Sequence, residues 1–156
     1  LYTKVSLIIS AVMMGLAFGA WHGKKVLLVN QNKNIVNLLK KLHLSFSVFG
    51  LTLIFLSSYL FAFPALLIEV LILILGIIAG YLGGFIFPLT NKIYLDCYKE
   101  KTGTIYSADL IGSAFGAILP SLILIPCFGF SVSLGVLVIL NFCAIGFLYV
   151  TTRKPT

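Results

Sequence analysis

A series of long, almost uncharged apolar runs separated by short polar segments is the feature that most constrains this chain. A helix that crosses a bilayer needs roughly 20 consecutive apolar residues, and several runs reach that length. Only 10% of the residues are charged, and a typical soluble domain carries roughly 25%. We therefore predict an all-α, polytopic transmembrane bundle of about five helices, with the lipid bilayer as its solvent and partner.

Proline, glycine and charge mark the ends of the predicted spans. Pro64 suits the first turn of a helix, so spans two and three should form an antiparallel hairpin. The second helix is expected to begin near Asn34 with an amphipathic part at the membrane interface. The segment TNKIYLDCYKEKTG is expected to form a hydrophilic loop. Pro120 should bend span four, and PCFGF should form the last turn. In a single membrane domain, the five spans are expected at residues 5–21, 42–63, 65–89, 104–126 and 130–150.

The basic residues predict the orientation. Of the 11 cations, all but Lys4 fall in three segments on one side of the spans: Lys24, Lys25, Lys33, Lys40 and Lys41, then Lys92, Lys99 and Lys101, then Arg153 and Lys154. Short basic loops stay in the cytoplasm, so we expect a cytoplasmic C-terminus with Leu1 outside. Cations placed between apolar spans indicate topology and lipid headgroup contacts and do not indicate a nucleic-acid partner.

Small residues recur at every fourth position on three spans. Such spacing places them on one helix face, where they allow close van der Waals contact in lipid. Spans one, three and four are therefore expected to meet closely, in ordinary internal packing or at a homodimer seam or sliding transporter interface. The three stripes are Gly15, Gly19 and Gly23, then Gly76, Gly80 and Gly84, then Ala108, Gly112 and Gly116.

Two acids lie within the spans. Asp109 should face the protein interior, because a carboxylate that faces lipid costs on the order of 3 kcal/mol; Tyr106 and Ser113 share its helix face. It is a candidate cation or proton site, or a buried residue that fixes helix packing. Glu69 lies near the start of span three, where the helix dipole favours an acid, or it is an outward-facing cation ligand.

Signals of soluble enzymes and of metal sites are not found in the sequence. It contains no GxSxG, Walker-type or HExxH motif, so we assign no catalytic residue and no cofactor. The three cysteines are scattered without a CxxC pair, and neither His22 nor His43 has a second ligand at helical spacing. We therefore expect no metal site.

A family resemblance is carried by two runs, GGFIFPLTNKIY and GTIYSADLIGSAFGAILPSLILIPCFGF, separated by a short charged loop, and by MGLAFGAWHGKK before them. Together they cover most of the chain. This order resembles the membrane domain of the spermidine synthase-like membrane proteins, in which a major-facilitator-like helical region is fused to a polyamine aminopropyltransferase domain. The matching positions are Phe87, Pro88, Tyr106, Asp109, Gly112, Gly116, Pro126 and Gly129.

The resemblance implies a noncatalytic module that anchors, assembles or passes a cationic small molecule, such as a polyamine, to a soluble synthase partner in a bacterial inner membrane. The family's first helix, with its acidic element, and its nucleotide-binding domain have no counterpart in this sequence. We therefore expect an upstream span and a soluble domain to be missing from it, and this chain alone not to be the enzyme. The alternatives are a half-transporter that acts as an oligomer and a structural assembly subunit.

We expect reporter tags placed at Lys40 and at Lys99 to be accessible from the same side of the membrane, because short lysine-bearing loops are retained in the cytoplasm. Labelling with a membrane-impermeant reagent, before and after permeabilisation, measures this. Tags on opposite sides, or a chain that stays soluble without detergent, would contradict the predicted topology.

Overall fold

A computed structural model of the protein describes residues 2–29, 35–59, 64–98 and 102–152. Within these ranges the regular elements are helices and there is no strand, which confirms the all-α prediction. A π-helical turn at Pro120–Leu124 joins α4 to α5. The helices are α1 (Tyr2–Val29), α2 (Ile35–Tyr59), α3 (Ala65–Tyr98), α4 (Thr102–Leu119), α5 (Ile125–Phe128) and α6 (Phe130–Thr152).

The described ranges contain 5 helical stretches long and apolar enough to cross a membrane, with α4, the π-turn and α5 forming one of them. Their outer surfaces carry large apolar side chains, such as Leu66 and Phe147, which are 75% and 72% exposed. Surface of this kind is stable among lipid tails and costly in water. The protein is therefore a membrane protein with a polytopic helical fold, as the sequence predicts.

Two helices extend beyond the predicted spans. The α1 helix continues past Trp21 to Val29, and α3 continues to Tyr98. The predicted loop that begins at Thr90 is therefore wrong for residues 90–98, which are helical. Pro88 removes one backbone donor, but the helix continues through it, and Thr90 Oγ1 donates to the Ile86 carbonyl of the same helix at 3.0 Å.

The α1 and α3 helices run parallel and meet backbone to backbone. Glycines of each helix lie against carbonyl oxygens of the other: Gly15 against Ile77, Gly19 against Tyr81, Gly80 against Val12, and Gly84 against Leu16. A Cβ atom at any of these four positions would lie well under 3.0 Å from the opposing oxygen. The close approach predicted for spans one and three is therefore found.

The remaining two glycines of these stripes contact side chains of the opposite helix. A Cβ atom at Gly23 would lie 2.6 Å from the Pro88 ring, and one at Gly76 would lie 3.3 Å from the Val12 side chain. The distances are longer than those at the four central glycines. Backbone contact is therefore tightest in the middle of the helix pair.

Polar contacts also join the same two helices, one before the glycines and one among the last of them. Near the start of the pair, Lys4 donates to Glu69 in an ion pair. Near its other end, a 2.6 Å hydrogen bond joins the Tyr81 hydroxyl and His22 Nδ1, and the His22 ring packs edge-on against Phe85 with centroids 5.3 Å apart. These contacts support the axial register of α1 against α3, in which the glycines allow the two backbones to approach closely.

The α2 and α6 helices form a second, antiparallel pair. A Cβ atom at Gly50 would lie 2.7 Å from the Val138 side chain, and His43 Nδ1 lies 2.9 Å from Asn141 Oδ1. Interhelical polar bonds of this type contribute about 0.6 kcal/mol on average in membranes. The pair therefore combines close packing with polar contacts between the helices.

One buried cluster joins both pairs at the same end of the bundle. The start of α2 packs against the last third of α3, as expected of antiparallel neighbours, and the C-terminal parts of α1 and α6 contact this cluster. Leu89 is completely buried there, directly after Pro88. The buried residues of the cluster are Ile35, Leu39, Phe85 and Leu89.

The end of the bundle that holds the cluster also carries most of the described basic residues. Lys24 and Lys25 lie near the end of α1, Lys40 and Lys41 near the start of α2, and Lys92 near the end of α3. Lys4 lies at the opposite end, beside Glu69. The other predicted members of the basic segments, Lys33, Lys99, Lys101, Arg153 and Lys154, lie outside the described residues.

The fourth span stands apart from the rest. None of its described residues from 103 to 128 is buried, and a Cβ atom at Gly112 or Gly116 would meet nothing within 4 Å. The expected contact of this span with spans one and three through these glycines is therefore wrong for the single chain. Four-residue spacing identifies a small face of a helix but does not say which surface covers it.

Proline and glycine interrupt this span where the sequence places them. Pro120 lacks a backbone donor, and the Ile125 N–H donates to the Pro120 carbonyl in a π-helical turn. Gly129 adopts φ 82°, a left-handed conformation that favours glycine. The predicted turn at PCFGF is confirmed, and it sends α6 back against α2.

We expect Gly19→Ala to lower the free energy of unfolding by about 1–3 kcal/mol, because the added methyl group meets the Tyr81 carbonyl and the two backbones must separate. Gly112→Ala is the matched control: its methyl group meets nothing, and alanine favours helix by about 1 kcal/mol over glycine. Unfolding in mixed micelles, followed by circular dichroism, measures both. Equal stability of the two variants would contradict the α1–α3 packing.

Candidate functional site

A groove between α3 and the start of α4 brings together polar side chains from both helices. We call it the α3/α4 groove, and its volume is about 330 Å³. Its polar lining residues are Thr90, Asn91 and Asp109, and its apolar lining includes Ile86, Phe87 and Ile105. An acid, a hydroxyl and an amide beside apolar walls are a set that binds a polar ligand with an apolar part.

The continuation of α3 beyond Pro88 positions two of the three polar groups. Thr90 and Asn91 follow the proline and remain on a helix that Leu89 holds against α2. Asp109 comes from α4, about two turns after the helix begins at Thr102. The groove therefore depends on the helical state of residues 90–98, which the sequence alone assigned to a loop.

The polar groups of the groove are suited to a cation. An ammonium group offers three donors and no acceptor. The Asp109 carboxylate, the Asn91 side-chain carbonyl and the lone pairs of the Thr90 hydroxyl are acceptors. Asp109 forms no hydrogen bond or ion pair with the described residues. Its carboxylate is therefore open to a ligand from outside the described chain.

Asp109 does not have the surroundings that the sequence predicted. It is exposed in the single chain and lines the groove, so the expectation that it faces a closed protein interior is wrong. Tyr106 is 61% exposed, and the Ser113 hydroxyl donates to the Leu110 carbonyl of its own helix at 2.9 Å. Serine hydroxyls compete for backbone carbonyls in this way, which explains why Ser113 is not a partner of Asp109.

Glu69 lies at the opposite end of the bundle and is ion-paired to Lys4. The two residues line a small cavity of about 140 Å³ whose other walls are apolar. The two proposed ligands, Glu69 and Asp109, are therefore not brought together. The ion pair favours the structural interpretation of Glu69, since its carboxylate already has a cation.

Thr90, Asn91 and Lys4 were not identified as site residues by sequence reasoning. Two adjacent polar residues directly after an apolar run and a proline are a usable signal, although this pattern is also typical of the start of a loop. Lys4 was visible as the one cation outside the basic segments. Its pairing with Glu69 follows only from the parallel register of α1 and α3.

The described histidines take part in helix packing. His22 bonds to Tyr81, and His43 bonds to Asn141. Across residues 2–29, 35–59, 64–98 and 102–152, no group of three or more His, Cys, Asp or Glu side chains is placed to hold a metal ion. The α3/α4 groove offers an acid that has no cation as a partner among the described residues, and it is therefore the candidate site for a cation.

Comparison with known proteins finds no family model, no curated protein and no solved structure that matches this chain. The resemblance to the spermidine synthase-like membrane proteins therefore depends on the sequence motifs alone and stays a prediction. The shared motif positions Phe87 and Asp109 both line the α3/α4 groove.

Proposed function

We propose that this protein is a noncatalytic membrane module that binds a cationic small molecule of the polyamine class in the α3/α4 groove. The observation that carries the proposal is the Asp109 carboxylate, which lies beside Thr90 and Asn91 and has no cation among the described residues as a partner. The family resemblance supports the same ligand class. The module would anchor or supply a soluble synthase partner, which the complete coding sequence or a neighbouring one should contain.

The position of the groove supports delivery to one face of the membrane. It lies at the end of the bundle that carries Lys24, Lys40 and Lys92, and basic ends stay in the cytoplasm. We therefore place the groove and the C-terminus on the cytoplasmic side, in a bacterial inner membrane as the resemblance implies. A ligand bound there would be within reach of a soluble enzyme without crossing the bilayer.

The apolar walls of the α3/α4 groove would add selectivity for an organic amine to the attraction provided by the Asp109 charge. Ile86, Phe87 and Ile105 line the same groove as the carboxylate. A polyamine carries methylene segments between its ammonium groups, and these segments would lie against the apolar side chains. An inorganic cation offers no such surface, so it would bind more weakly than an organic amine.

We expect Asp109→Asn to weaken spermidine binding roughly 10- to 150-fold, because a hydrogen bond to a charged group is worth about 1.5–3 kcal/mol. Isothermal titration of the purified chain in detergent measures the affinity. Glu69→Gln is the matched control, since it removes an acid that is already paired with Lys4 at the far end of the bundle.

The proposal fails if Asp109→Asn binds spermidine as the unmodified chain does, or if Glu69→Gln weakens binding equally. Uptake of labelled spermidine by vesicles that contain the purified chain would replace the anchoring role with transport. Loss of that uptake in Asp109→Asn would then assign the same carboxylate to the transport pathway.

A second candidate function, assembly into an oligomer, is favoured by the uncovered fourth span. Gly112 and Gly116 lie on a helix without buried residues, next to large exposed side chains such as Ile111 and Phe115. Small residues permit close helix association in lipid. Contact between fourth spans of two copies would produce the half-transporter or structural subunit that the sequence left as alternatives.

For this second candidate we expect Gly112→Leu to abolish the oligomer, because the larger side chain prevents close approach of a second helix. Asp109→Asn should leave the oligomer intact. Crosslinking in membranes and size-exclusion chromatography with light scattering measure both variants. An unchanged oligomer in Gly112→Leu, or a monomeric unmodified protein, would exclude assembly through this face.

A further inference from the structure

A second cavity lies between the end of α1 and the start of α2, away from the α3/α4 groove. We call it the α1/α2 cavity, and its volume is about 480 Å³. Its apolar walls are Val26, Leu27, Ile35 and Leu38. Its polar lining residues are Asn37, Lys40 and Lys41. None of the described residues that line it is acidic, so its electrostatic character is the reverse of that of the groove.

The residues that line the α1/α2 cavity are of the kind found at the level of the lipid headgroups. Val26 and Leu27 follow Lys24 and Lys25 on α1, at the point where the helix leaves its apolar part. On α2, Lys40 and Lys41 precede the long apolar run of that helix. Residues that alternate apolar and basic at the end of a span lie in the membrane interface.

The basic side chains of the cavity are partly held in place by the fold. Lys40 Nζ lies 5.1 Å from the centroid of the Tyr149 ring of α6, within the range of a cation–π contact. Lys41 is exposed beside it, and Asn37 adds an amide donor one turn earlier on the same helix. Two ammonium groups and an amide, with no acid, form a donor set that fits a phosphate.

The apolar walls of the cavity favour a phospholipid over soluble phosphate as the source of the phosphate group. A soluble phosphate would use only the lysines and the amide, and it would leave the accessible parts of the Leu27 and Leu38 side chains uncovered. A phospholipid places its phosphate at the headgroup level and its acyl chains beside such walls. Basic pockets between transmembrane helices on the cytoplasmic side are suited to anionic lipid headgroups.

We propose that the α1/α2 cavity binds the phosphate headgroup of an anionic phospholipid, with Lys40 and Lys41 as its cationic ligands. The lipid would bridge α1 and α2 close to the buried cluster, which includes Ile35 and against which Val26, Leu27 and Leu38 pack. Occupation of the cavity would therefore stabilise the end of the bundle that carries the α3/α4 groove. The site is distinct from the groove, and its ligand has the opposite charge.

The test measures the affinity of the full purified chain in neutral detergent for fluorescent phosphatidylglycerol, with fluorescent phosphatidylcholine as the reference. We expect a preference for phosphatidylglycerol. Lys40→Gln/Lys41→Gln should weaken phosphatidylglycerol binding about thirty-fold, because two lysines near an anionic lipid are removed. Affinity for phosphatidylcholine should not change.

The matched control is Lys24→Gln/Lys25→Gln, which removes the same charge at the same end of the bundle from residues that do not line the cavity. We expect it to weaken phosphatidylglycerol binding no more than a few-fold. Lys40→Arg/Lys41→Arg should retain the affinity, and circular dichroism checks that each variant is helical. If the Lys40→Gln/Lys41→Gln variant fails to fold, two other measurements test the proposal. They are the phosphatidylglycerol affinity of the arginine variant and the competition by inorganic phosphate.

Three outcomes would overturn the proposal. Equal losses in the two glutamine double variants would show diffuse attraction to the basic end instead of a site. Equal affinity for the two lipids would exclude recognition of the anionic headgroup. Displacement of phosphatidylglycerol by millimolar inorganic phosphate would assign the cavity to a soluble anion. Asp109→Asn should leave lipid affinity unchanged, which separates this proposal from the one for the groove.

Discussion

Backbone contact between α1 and α3 is the constraint on which the rest of the bundle depends. Lipid tails are as apolar as the helices, so association relies on van der Waals contact, which is strongest where side chains are absent. Gly15, Gly19, Gly80 and Gly84 bring each helix against carbonyl oxygens of the other. This contact fixes a parallel register, and the register decides what lies at each end: Lys4 with Glu69 at one, His22 with Tyr81 at the other.

The same register positions the end of the bundle where both binding proposals are located. With α3 held against α1, Leu89 is buried under the start of α2, and the helix continues past Pro88. The continuation carries Thr90 and Asn91 to the start of α4 and so completes a groove with one acid. At the same end of the bundle, α1 and α2 form a cavity whose polar lining residues include Lys40 and Lys41. The cationic and the anionic ligand that we propose would therefore occupy separate sites formed by one packing arrangement.

The fourth span is not held by close backbone contact, as the α1–α3 pair is. It contacts α3 near its start and α6 near its end, and none of its described residues from 103 to 128 is buried. Its small face resembles those of α1 and α3 in sequence, but no atom of the described helices lies within 4 Å of a Cβ placed at Gly112 or Gly116. A helix in lipid tolerates this because lipid can cover apolar side chains at little cost. The acid near the start of this span, Asp109, is the part that lipid does not satisfy.

The sequence by itself determined the membrane environment, the five helical spans, the turn at Gly129 and the small faces of three helices, because these depend on composition and local spacing. Tertiary structure decided which small faces meet, that Lys4 neutralises Glu69, and that Thr90 and Asn91 accompany Asp109 where Tyr106 and Ser113 were expected. A pattern along one helix specifies which residues share a face. Which helix packs against that face depends on the register between helices that are far apart in the chain. That register is set by close packing of whole surfaces, which no local run of residues encodes.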